Sequence, residues 1–118
     1  MANPNIVNVS SILGKTDTFA LTTTAANLVT ATANTVFKIN SIIVTNIDGS
    51  NAADVTVSYF DGSDTRAIGS TISVPADAAL NLIDKNSSFY LEENEIISGL
   101  ASANSDLVCL ISYEIISS

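Results

Sequence analysis

Alternation with a period of two, repeated along the chain and punctuated by turn dipeptides, is the feature that most restricts this sequence. In residues 54–60, Val55, Val57 and Tyr59 fall on one side and Thr56 and Ser58 on the other, as a half-buried strand requires. Asp48-Gly49 precedes this run and Asp61-Gly62 follows it, and Asp-Gly is hairpin chemistry because glycine accepts positive φ while aspartate bonds its own backbone. The run 106–116, DLVCLISYEII, sets Leu107, Cys109, Ile111, Tyr113 and Ile115 against Val108, Leu110, Ser112, Glu114 and Ile116. Residue usage agrees. Gln and Trp are absent and Glu, Lys and Met scarce, whereas the abundant Thr, Val and Ile lose rotamer freedom in a helix and suit a pleated surface.

The same reading predicts strands at 18–21, 28–31, 35–47, 54–60, 66–74, 79–83, 88–91, 96–101 and 106–116, with residues 22–26 as a loop and Pro75 closing the strand before it. Residues 35–47, TVFKINSIIVTNI, are apolar on both faces, with Phe37, Ile39 and Ile43 on one and Val36, Ile42 and Val44 on the other, which marks a central strand. Eight or nine short strands in 118 residues, 47% of them hydrophobic, fill one core. The expected fold is all-β: a single-domain antiparallel β-sandwich, jelly-roll-like, of about eight strands over residues 11–118, with residues 1–10 as an extended N-terminal arm.

Chemistry is narrowed by what the chain does not contain. With no histidine and one cysteine, Cys109, it has no internal disulfide, zinc site, thiol–imidazole pair or serine–histidine triad. Cys109 sits mid-strand among apolar neighbours and reads as a small core residue. The acidic turns, Asp48 to Asn51 with Asp54 and Asp61 to Asp64, hold oxygen ligands that calcium favours, but neither has EF-hand spacing, and the turn reading is preferred. Glu92, Glu93 and Glu95 form the densest negative patch, read as a solvated connection or a docking site for a basic neighbour. No aromatic platform for sugar adjoins it, so no catalytic residue, metal or cofactor is assigned and the chain is not expected to be an enzyme. Tyr59, Tyr90 and Tyr113 can serve either as interface anchors or as core residues with one satisfied hydroxyl.

A formal net charge of -8 repels phosphate backbones, which argues against nucleic acid as a partner. No apolar run approaches the length of a membrane span. Met1 to Pro4 lack the positive start and apolar stretch of a secretory signal, so folding in the cytoplasm is expected, and the Asn-x-Ser matches at Asn8 and Asn86 carry no weight. Charged residues make up only 14% of the chain. Either part of the exterior is covered by a partner or by further copies, or neutral hydroxyls and amides supply the polar surface.

Taken together, the start MANPNIVNVSSILGKT, the middle VTNIDGSNAADVTV, the segment TISVPADAALNLI and the end FYLEENEIISGLASANSDLVCLISYEI resemble a family of small virion structural proteins of tailed bacteriophages, notably those infecting marine cyanobacteria. The resemblance spans nearly the whole chain and rests on overall pattern, with no chemical signature in it. It implies a capsid decoration or cement protein that binds the major capsid protein lattice in a virion assembled in the host bacterial cytoplasm. A tail, neck or fibre component is the alternative, and a carbohydrate-binding β-sandwich a further one. The class also implies a homo-oligomer, with a trimer favoured. Asn3, Pro4, Ile6, Val7 and Val9 are the candidate arm contacts, laid on a neighbouring subunit by strand addition or, alternatively, forming the first strand of their own sheet; Glu92, Glu93 and Glu95 are the other candidate contacts.

Overall fold

In the computed structural model, which describes residues 10–117, the period-two segments form β1 (Ser11–Ala20), β2 (Ala26–Thr30), β3 (Thr35–Asn46), β4 (Ala53–Phe60), β5 (Thr65–Val74), β6 (Ala79–Ile83), β7 (Phe89–Leu91), β8 (Ile96–Ala101) and β9 (Leu107–Ser117). All pairings are antiparallel. One sheet runs β1-β9-β3-β6, with β7 also on β3, and the other β2-β8-β4-β5. This is the strand order of a jelly roll. β6 pairs with Ile42 to Thr45 and β7 with Phe37 to Ile39, so the two occupy one strand position and nine segments fill eight places. The all-β sandwich expected from the sequence is therefore the fold of the chain.

Side chains from the two inner faces meet in one core. Ile39, Ile42 and Val44 of β3, Val55 and Val57 of β4, Ile97 of β8 and Ile111 of β9 are each at most 1% exposed. Burying an aliphatic side chain of this size contributes roughly 1.5–3 kcal/mol. The expected faces of β3 need correction. A register shift between Ile39 and Ser41 leaves Asn40 as an extra residue, and the bulge turns Ile42, Val44 and Asn46 onto the same inner face as Phe37 and Ile39. The Asn40 amide donates to Glu114 Oε2 at 3.0 Å, which holds the bulged residue on the outer side.

β1 also differs from expectation. The sequence predicts only a short strand at 18–21; Gly14, Lys15 and Asp17 break the apolar alternation before it. Instead β1 spans ten residues, paired without a break to β9 from Ser11 opposite Ser117 to Ala20 opposite Val108. The ladder with β9 imposes the extended conformation that local propensity does not.

The other edges are irregular. β5 carries two register shifts against β4, and Thr71 within them has φ of 51°, a left-handed conformation costly for a β-branched residue. Thr71 donates its amide to Thr56 Oγ1 at 3.0 Å, which repairs the broken ladder locally. A Cβ at Gly69 would lie 2.7 Å from Ile72 Cδ1 and 2.8 Å from Leu82 Cδ1, so a larger residue beside this bulge must displace the ends of two side chains. β2 is five residues long with its own shift near Leu28, and the β6–β7 edge is interrupted between Ile83 and Phe89.

Asn46 ends β3 inside the core at 1% exposure, and no alternation or turn signal in the sequence marks it as interior. Its Nδ2 donates to the carbonyls of Asn51 and Val74, both at 2.9 Å, and its Oδ1 accepts the Asp48 amide at 2.9 Å. One side chain thus fastens the ends of β3 and β5 and the β3–β4 turn. Asn46→Ala is expected to cost about 2 kcal/mol or more in urea denaturation, because it strands buried backbone groups, while Lys85→Ala on the surface stays within about 0.5 kcal/mol.

Candidate interaction surface

The acidic connection 92–95 is built as a clasp. Glu95 lies two residues before Ile97 on the inward side of β8 and is 7% exposed. Its Oε1 accepts the Tyr59 hydroxyl at 2.7 Å and the Glu92 amide at 2.8 Å. The Glu95 amide donates to the Glu92 carbonyl at 3.0 Å, and Asn94 makes the turn with φ of 69°. Ala31 and Asn94 bond across to residues 95 and 31, and Glu93 Oε1 accepts the Asn34 amide at 2.8 Å. The solvated stretch expected here is corrected in part: Glu95 and Glu93 are engaged internally and Glu92 is exposed. The inward parity of β8, carried back from Ile97, is the sequence signal that places Glu95.

A second hydroxyl–carboxylate pair ties β9 to β1. The Tyr113 hydroxyl donates to Asp17 Oδ2 at 2.6 Å, its ring stacks on Phe37 with centroids 5.3 Å apart, and Lys15 Nζ stands 3.9 Å from the same carboxylate. Burial, and then the bond to the carboxylate, push the phenols of Tyr59 and Tyr113 well above their ordinary value of 10.0. Cys109 is fully buried, and burial pushes its thiol up to about 12. It packs as the core residue that the sequence suggested.

At the acidic turns, Asp48 Oδ1 accepts the Ser50 amide at 2.9 Å, and Asp61 Oδ1 accepts the amides of Asp64 at 2.8 Å and Ser63 at 2.9 Å. These backbone bonds hold both carboxyls below the usual range. Both aspartates therefore do what the turn reading requires. Among the described residues no group of three or more carboxylates or thiols is arranged to hold a metal ion.

Among the described residues, exposed apolar surface lies in three places. Where β4 and β5 face β6 and β7, Tyr59, Ile68, Ile83, Phe89 and Tyr90 line an open groove of about 340 Å³, with Tyr59 and Phe89 edge to face. The Tyr59 hydroxyl is committed to Glu95, so Tyr59 presents its ring to the groove as an apolar wall. Ile12 and Leu13, exposed 58% and 57%, lie at the start of β1, and Ile47, at 60%, follows β3. Asn3, Pro4, Ile6, Val7 and Val9 fall outside the described residues.

No family model matches the chain, and no curated protein matches it in sequence. Among solved structures it is similar to Bacillus endospore appendages, described as a family of disulfide-linked pili, at 15% identity over 92% of this chain and 88% of that one, with a TM-score of 0.54. It is also similar to a capsid structure of a Helicobacter pylori bacteriophage, at 8% identity over 92% of this chain and 90% of that one, with a TM-score of 0.52. At these identities the likeness is one of fold.

The raised phenols and thiol set an alkaline limit. In the unfolded chain they ionise near pH 9 to 10, so above that range the folded state binds more protons and stability falls as pH rises. Below it these groups contribute no pH dependence. Urea midpoints measured from pH 8 to 11 are expected to decline, and the Tyr59→Phe/Tyr113→Phe double variant should decline less steeply; equal slopes would contradict the assignment.

Proposed function

We propose that this chain is a structural protein of a bacteriophage virion, a decoration or cement subunit that binds the major capsid lattice through protein–protein contacts. The observation that carries the reading is a jelly roll that presents, among the described residues, a long strand edge without a strand partner and exposed apolar side chains at Ile12, Leu13 and Ile47, the features by which one chain adheres to another. The overall sequence pattern supports it, as does the fold shared with a phage capsid structure.

The pilus-like fold of the endospore appendages favours a second kind of assembly, but the linkage named for those pili is not open here: the single cysteine is buried with its thiol protonated. The subunit acts without catalysis, in a virion assembled in the host cytoplasm. Self-association belongs to this reading; the resemblance implies three copies whereas the edge pairing argued below gives two, and the same mass measurement separates them. Residues 1–10 reach a neighbouring subunit, and Glu92 with Glu93 faces a basic partner.

Electron microscopy of the source particle tests the location. Density for this subunit on the shell is expected; density confined to the tail would favour the tail reading, and its absence from the particle would end the proposal. Deleting residues 2–9 should weaken particle binding, measured by co-sedimentation, and undiminished binding would remove the arm from the account.

A further inference from the structure

β1 is the one long, regular strand edge that the described residues leave without a strand partner. The other edges are shortened, bulged or interrupted, as natural sheets blunt an edge that should not pair, whereas β1 runs ten residues with no bulge. Its outward hydrogen-bonding groups follow from the ladder. Leu21 donates its amide to the Leu107 carbonyl and Ile47 to the Asp106 carbonyl, so odd residues of β9 face β1 and even ones face β3. Odd residues of β1 accordingly bond to β9, and Ile12, Gly14, Thr16, Thr18 and Ala20 turn their N–H and C=O groups outward.

We infer that β1 is a self-pairing edge, joining β1 of a second copy antiparallel about a two-fold axis at Thr16 to make one continuous sheet across two subunits. The register is selected by charge. Centred on Thr16, the pairing sets Lys15 opposite the partner's Asp17 and Asp17 opposite the partner's Lys15, and it brings Leu13 against the partner's Phe19 on the same face twice over. Centring one residue earlier would oppose lysine to lysine, and one later aspartate to aspartate. The chosen register also matches the outward backbone groups, since Thr16 exchanges both its bonds with its own copy and Gly14 does so with Thr18. Leu13, 57% exposed in the single chain, gains an apolar cover. The inference rests on edge geometry and charge order, and holds whether or not the chain belongs to a virion.

The test reads mass by light scattering after size exclusion, with circular dichroism as a fold control. The full chain is expected at twice its 12.3 kDa mass. Lys15→Glu and Asp17→Lys, each alone, oppose like charges at both pairs and should weaken self-association by about tenfold or more. An equimolar mixture of the two variants restores opposite charges at both pairs and should recover the doubled mass as a heterodimer. Thr16→Pro removes an outward N–H without deleting a β1–β9 bond and should also give the single-chain mass. A single-chain mass for the unaltered protein at its highest soluble concentration would overturn the inference. So would a threefold mass, or a doubled mass indifferent to the charge variants and their mixture.

Discussion

The structure depends on the ladder that β9 makes on both its sides. Its eleven residues pair with β1 on one flank and β3 on the other, while its inward side chains, Leu107, Cys109, Ile111 and Tyr113, supply the middle of the core. Until these last residues arrive, β1 has no neighbour and β3 lacks half its bonds. Pairing strands so far apart in sequence carries a loop-closure cost, offset only when many contacts form together. The same arrangement fixes which backbone groups of β1 face inward, and therefore which ones remain outside.

Polar groups in and beside the core act as fasteners in this fold. Asn46 satisfies the turn and strand ends around it, Glu95 gathers the Tyr59 hydroxyl and a backbone amide, and Asp17 takes the Tyr113 hydroxyl. No buried side-chain polar atom among the described residues lacks a partner. Such groups destabilise when left unpaired and specify a single arrangement when paired. Glu95, one of the three candidate acidic contacts, is consumed in this way, so the negative charge of the chain overstates what a basic neighbour can reach.

Much of the architecture was legible because burial on one face of a strand writes itself as alternation. The strands Ala79–Ile83 and Ile96–Ala101 lie where the pattern placed them, and the turns at Asp48 and Asp61 follow from side-chain bonds to amides two or three residues on. Asn40 was not legible. A bulge inserts one residue and reverses the parity after it, and no local preference announces where a partner strand slips. Nor was the start of β1, where a glycine and two charges break the alternation and only the pairing with β9 makes a strand.

The sequence by itself determined the class: β-branched residues at period two, turn chemistry between them, and no histidine or second thiol with which to build a familiar reactive centre. Only the tertiary structure decided which side chains of β3 face the core, that Glu95 is interior, and that one edge stays regular while the others are blunted. The division has a physical cause. Alternation and turn preference act between residues near in sequence, whereas register, bulges and edge exposure are set by hydrogen bonds between strands whose partners lie far along the chain.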